Sequence, residues 1–118
     1  MIKATLQALA LLSLLSFGSA RAEEGFLTGF EDLPLMSGLT ESTETLVSFD
    51  TPAGRFMEVY ATGETHPADV HAFYSQTLPQ LGWEPVGPSA FEREGEKLEV
   101  ETTAADQGVS VRFTLSPI

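Results

Sequence analysis

The chain contains no cysteine, so no disulfide can brace it and no thiol can act as nucleophile or soft metal ligand. Positive charge is scarce as well: six lysines and arginines stand against 17 acids. Such a surface repels phosphate backbones and anionic lipid, which argues against nucleic acid and acidic membrane as partners. Basic proteins, cationic ligands and divalent cations stay open, beside the plainer reading of a solvated, soluble surface. There are only two histidines, His66 and His71. No glycine loop of the phosphate-cradling kind occurs, and the acids lack the regular spacing and closing glutamate of a calcium loop.

What is present begins with an address. Lys3 precedes an almost wholly apolar run from Ala4 to Phe17, and Ala20-Arg21-Ala22 offers small residues at the two positions a signal peptidase reads. Residues 1–22 are expected to be a signal peptide, cleaved between Ala22 and Glu23. The alternative is an uncleaved anchor, since the uncharged stretch between Lys3 and Arg21 is close to the lower limit for crossing a bilayer. Gln7, Ser13 and Ser16 interrupt that stretch and Gly18-Ser19 breaks it. With no cysteine for lipid attachment and no paired arginine, general secretion of a soluble product follows. A disulfide-free exported chain of this size points to a bacterial periplasm or cell envelope.

Cleavage would leave four bases against 17 acids on 96 residues, one small domain with net stability on the order of 5 to 10 kcal/mol. Residues 23–45 mix Gly25, Gly29, Pro34 and Gly38 with Phe26, Leu27, Phe30, Leu33, Leu35, Met36 and Leu39. They read as an extended apolar arm followed by a polar connection, Thr40 to Thr45. The arm's apolar residues Phe26, Phe30, Leu33, Leu35, Met36 and Leu39 either lie over the domain's own sheet or wait for a partner protein.

Residues 46–118 read as the domain proper. Leu46 to Phe49 and Phe56 to Ala61 are strand-like, and Asp50-Thr51-Pro52-Ala53-Gly54-Arg55 between them is turn chemistry, predicting a β-hairpin. Val70, Phe73, Tyr74, Leu78 and Leu81 then recur at helical spacing, from a start near Pro67 to a stop at Gly82. After the helix come short strands at Trp83–Val86 and Phe91–Arg93. Two alternating runs follow, Leu98, Val100, Thr102 and then Val109, Val111, Phe113, Leu115. Short loops imply antiparallel neighbours. The expected fold is α+β: one twisted antiparallel sheet of five to six strands in the order β-β-α-β-β-β-β, with one amphipathic helix on a face.

The phrases Phe30-Glu31-Asp32-Leu33-Pro34-Leu35-Met36, Phe49-Asp50-Thr51-Pro52-Ala53-Gly54-Arg55, Phe73-Tyr74…Leu78-Pro79-Gln80-Leu81-Gly82-Trp83 and Phe91-Glu92-Arg93-Glu94-Gly95-Glu96 together resemble a family of small, uncharacterised exported proteins of proteobacteria. The likeness spans nearly the whole chain after the leader. It implies an exported single domain and brings no catalytic residues or cofactor with it.

On a helix His66 and His71 would point roughly 140° apart, so they share a metal only if His66 lies off the helix as a cap. Ser89 lacks the following glycine of a nucleophile elbow, and nothing in the sequence places a histidine beside it. Glu92, Glu94 and Glu96 gather at one loop, and Glu99 and Glu101 on one strand face, but Arg93 and Lys97 alternate with them as solvated pairs do. Phe56, Phe73, Tyr74 and Trp83 line either a pocket between helix and sheet or simply the core. The reading that emerges has no cofactor and no metal. It is a non-enzymatic envelope domain, monomeric or weakly oligomeric, that binds another protein through the arm or an exposed sheet edge. A carrier of a small ligand or cation is the alternative, and an envelope hydrolase ranks last.

Overall fold

The alternating runs and the single amphipathic stripe fold as their periods require. The computed structural model describes residues 25–118, so the leader, its cleavage point and Glu23–Glu24 lie outside the described residues. The elements are β1 (Thr40–Thr51), β2 (Gly54–Gly63), α1 (Pro67–Thr77) running into a 3-10 turn (Leu78–Leu81), β3 (Glu84–Pro85), β4 (Ala90–Arg93), β5 (Glu96–Ala105) and β6 (Gly108–Pro117). They form one antiparallel sheet in the spatial order β1-β2-β6-β5-β4-β3. The order β-β-α-β-β-β-β and the α+β class are as the sequence implies. After the first hairpin the chain crosses over the sheet as α1, meanders back from the far edge, and inserts β6 between β5 and β2.

Each boundary has a local cause. Pro67 opens α1 with His66 as its cap residue, which makes no side-chain cap bond. Pro79 tightens the last turn into 3-10 geometry, and Gly82 stops it in the left-handed region at φ 93°. Glu94 and Gly95 both have positive φ, giving β4 and β5 the two-residue loop whose twist suits a hairpin.

One face of the sheet is apolar throughout. Met57, Val59 and Ala61 of β2, Val109, Val111, Phe113 and Leu115 of β6, Leu98 and Val100 of β5 and Phe91 of β4 are all buried. Val70, Tyr74 and Leu78 close over them with Trp83. The Tyr74 ring stands edge-on to Phe113, centroids 5.4 Å apart.

The structure departs from the sequence reading at the amino-terminal side. No boundary falls at residue 45: β1 already begins at Thr40, so Thr40 to Thr45 are strand rather than a solvated connection. Their pairing is irregular, with Ser42 opposite Tyr60 but Val47 opposite Glu58, so three extra residues bulge from β1. Thr45 makes this tolerable. Its hydroxyl donates to the Ser42 carbonyl at 2.6 Å and accepts the Tyr60 N–H at 3.0 Å, standing in for a missing ladder partner. Polar residues without glycine or proline look like linker in sequence, yet here their hydroxyls replace backbone bonds.

Candidate functional site

Of the two surfaces singled out from sequence, the arm is spent on the protein's own core. Leu27, Phe30, Leu33 and Leu39 are buried, and Leu35 and Met36 pack partly covered against the same cluster. Only Phe26 stands out, 61% exposed. The arm and α1 together roof the apolar sheet face, with the arm over β2: a methyl on Gly29 would come within 2.6 Å of Met57 Cε.

Three polar contacts pin the arm. The Tyr74 hydroxyl, carried by α1, donates to the Pro34 carbonyl at 2.8 Å and accepts the Met36 N–H at 3.1 Å. The Glu41 carboxylate accepts the Thr28 N–H and hydroxyl. Arg93 reaches back from β4 to Asp32, with Nη1 and Nη2 donating at 3.0 and 3.2 Å, while Nη1 also donates to the Leu81 carbonyl at 2.8 Å. The same guanidinium lies 4.3 Å from the centroid of the Trp83 ring. The indole N–H beneath it is buried without a hydrogen-bond partner among the described residues.

The hydrogen bond from Arg93 holds the Asp32 carboxyl below the ordinary aspartate range, against a smaller opposing push from desolvation. A depressed folded value stabilises docking above the unfolded value, about pH 3.9, and that contribution is lost as pH falls through the folded one. The protection factors of the Leu27 to Leu39 amides, taken against intrinsic exchange at each pH, are therefore expected to fall on acidification below about pH 4. Asp32→Asn should remove this step, and an unchanged acid profile in that variant would refute the assignment.

Phe56, Phe73, Tyr74 and Trp83 do not form one pocket. Tyr74 and Trp83 are core, Phe73 packs against it edge-on to Tyr74, and Phe56 sits on the opposite face of β2. The strand period separates it from Met57 and Val59. Beside Tyr74 the void between helix and sheet is only about 20 Å³, room for a water and not for an organic ligand.

The histidines stay apart from catalytic partners. His66 caps α1, and His71 Nε2 lies 3.4 Å from Ser75 Oγ one turn along the helix. Ser89 does share a groove with His71 and Glu101, but the Glu101 side chain engages Arg112 on the sheet's open face. A nucleophile, base and orienting acid are thus not aligned there. Among the described residues no three histidine, aspartate or glutamate side chains gather as a metal site. Nor is any described helix long and apolar enough to cross a membrane.

Of the exposed large apolar side chains among the described residues, Phe26, Val47, Phe49, Val86 and Ile118, two lie together on the open face of the first hairpin. Phe49 and Phe56 are direct cross-strand partners and stack, centroids 5.1 Å apart and planes 25° from parallel. Val47, two residues along β1, faces the same way. Phe49 is 51% and Val47 43% exposed. Isolated apolar residues on a surface mean little, so it is their adjacency on an edge strand that sets this face apart.

Its electrostatic setting is one-sided. Arg55 pairs with Glu96, Arg93 with Asp32, Lys97 with Glu99, and Arg112 with Glu58 and Glu101. Every cationic side chain of the described residues is thus engaged, while Glu44, Asp50, Glu64, Asp69, Glu84 and Asp106 enter no such pair. Comparison with protein-family models, with curated proteins and with solved structures finds no match, so the surface is interpreted from its own geometry.

Proposed function

We propose that the chain is an exported, non-enzymatic binding domain of the bacterial envelope that docks another protein on the Val47, Phe49 and Phe56 face of its first hairpin. The observation that carries this reading is the half-exposed stack of Phe49 on Phe56 at the sheet's edge. Aromatic side chains supply most of the affinity where they anchor an interface, because they bury large area at small conformational cost. The surplus of unpaired acids favours a partner that surrounds an apolar patch with basic residues. The arm, the other surface suggested by the sequence, stabilises the fold instead of waiting for a partner.

Site-specific photo-crosslinking in the producing cell tests the docking face. With p-benzoylphenylalanine in place of Phe49, one discrete adduct of defined mass is expected, whereas the same group in place of Gln76 on the exposed side of α1 should give none. An additional Phe56→Ser should abolish the adduct while shifting unfolding by no more than about 1 kcal/mol, the worth of a cross-strand pair. Identical adduct patterns at both positions, or none at Phe49, would overturn the proposal.

A further inference from the structure

A different edge of the sheet is left open by a local accident of sequence. β4 pairs with β5 only from Arg93 opposite Glu96 to Ala90 opposite Glu99. One bond further, the Val100 N–H donates to the Ser89 carbonyl at 2.9 Å, and the ladder then stops where Gly87-Pro88 leads the chain away. β5 nevertheless continues to Ala105, paired with β6 alone. Since edge-facing backbone groups recur every second residue, the outward N–H of Val100 means that Thr102 and Ala104 also turn their N–H and C=O to this side. No described strand meets them.

Beside this stretch lies a groove of about 500 Å³, walled by Pro67, Ala68 and His71 of α1 and floored by Val100 and Thr102. The edge is not blunted in the usual ways. Thr102-Thr103-Ala104-Ala105 carries no proline, lysine or bulge, in contrast to the bulged β1 on the other side of the sheet. Directly after β5, Asp106 lines a second depression together with Glu64 and Ala105, the last residue of the strand, and neither acid belongs to an ion pair.

We propose that this groove takes an extended cationic peptide by strand addition: main-chain bonds to Thr102 and Ala104, apolar side chains against Pro67 and Ala68, and a lysine or arginine toward Glu64 and Asp106. The free backbone edge calls for another backbone, and the uncompensated acids call for a basic one. A second copy of the chain is disfavoured as occupant, since like-charged acidic surfaces would be brought together. This site is separate from the Phe49 face and does not depend on it.

The probe is the peptide acetyl-Lys-Val-Lys-Val-Lys-Val-amide, titrated into the 15N-labelled full chain. Its Glu-Val counterpart and a Lys-Val peptide N-methylated at alternate residues serve as comparisons. The Thr102 and Ala104 amides are expected to shift and to exchange about tenfold more slowly with solvent. Both comparison peptides should bind at least about tenfold more weakly, a difference of about 1.4 kcal/mol. Ala68→Lys, on an exposed helix position of the groove wall, should weaken the Lys-Val peptide similarly with an unchanged circular dichroism spectrum. Four results would overturn the proposal: no shift at millimolar peptide, equal binding of either comparison peptide, shifts confined to the Phe49 hairpin, or concentration-dependent shifts at Thr102 without peptide, which would show self-association.

Discussion

Phe30→Ala is expected to destabilise the whole domain by about 3 to 5 kcal/mol, the usual loss for a buried phenylalanine, a large part of the 5 to 10 kcal/mol a domain of this size possesses. The reason is that Phe30 belongs to the same buried cluster as Met57, Tyr74 and Phe113, so truncation leaves a cavity in the common core. A competing outcome is set by local opening. If the arm could detach by itself, the loss would be capped at its own docking free energy, and exchange would quicken only at Leu27 to Leu39. The contacts argue against such independence: Tyr74, wedged between Phe73 and Phe113, holds the arm through Pro34 and Met36. Urea denaturation followed by tryptophan fluorescence and by circular dichroism should show one coincident transition, shifted to lower urea. Two separated transitions would show the arm to be a detachable strap. Truncating the arm would thus remove part of the core, so loss of binding on truncation could not by itself identify a docking surface.

Much of this architecture is readable because it is periodic. Val109, Val111, Phe113 and Leu115 alternate with Ser110, Arg112 and Thr114, and the two sets take opposite faces of β6. The helical spacing of Val70, Tyr74 and Leu78 likewise survives as the buried side of α1 and its 3-10 turn. Where period gives out, so does legibility. The arm contains no repeat; its place is fixed by turns and by partners such as Arg93, which lies 61 positions from Asp32, a separation over which sequence offers no register. Phe56 shows the converse failure. Its size suggests core, but only its parity with Glu58 and Tyr60, opposite to Met57, Val59 and Ala61, reveals that it faces outward. The open edge of β5 follows from strand lengths being unequal, something Gly87-Pro88 hints at and three-dimensional pairing makes explicit.

Gly63→Ala is expected to be comparably damaging, costing about 3 kcal/mol or more, although a single methyl is all it adds. At the end of β2 a Cβ would overlap the Gly38 carbonyl oxygen outright, with the Gly38 carbonyl carbon at 3.0 Å and Leu39 Cδ2 at 3.1 Å. The carbonyl oxygen of Gly63 in turn fills the space that a Cβ on Gly108 would need, and Gly108 adopts φ 154°. Three backbone segments therefore meet without side chains between them: the last turn of the arm, the exit of β2 and the entry of β6. Because the obstacle is backbone rather than the tip of a flexible side chain, relief requires moving the arm or the strand, and either movement disturbs the packing of Leu39 and Val109. Gly108→Ala should fall in the same class. Gly25→Ala is the control, since nothing lies within 4 Å of its added methyl, and its stability should stay within about 0.5 kcal/mol of the parent. Urea midpoints for the three variants decide the matter: Gly63→Ala unfolding with the parent's midpoint would mean that the arm does not sit against β2 as described. The docking of the arm would then have to be reconsidered together with the burial of Leu27, Phe30 and Leu33.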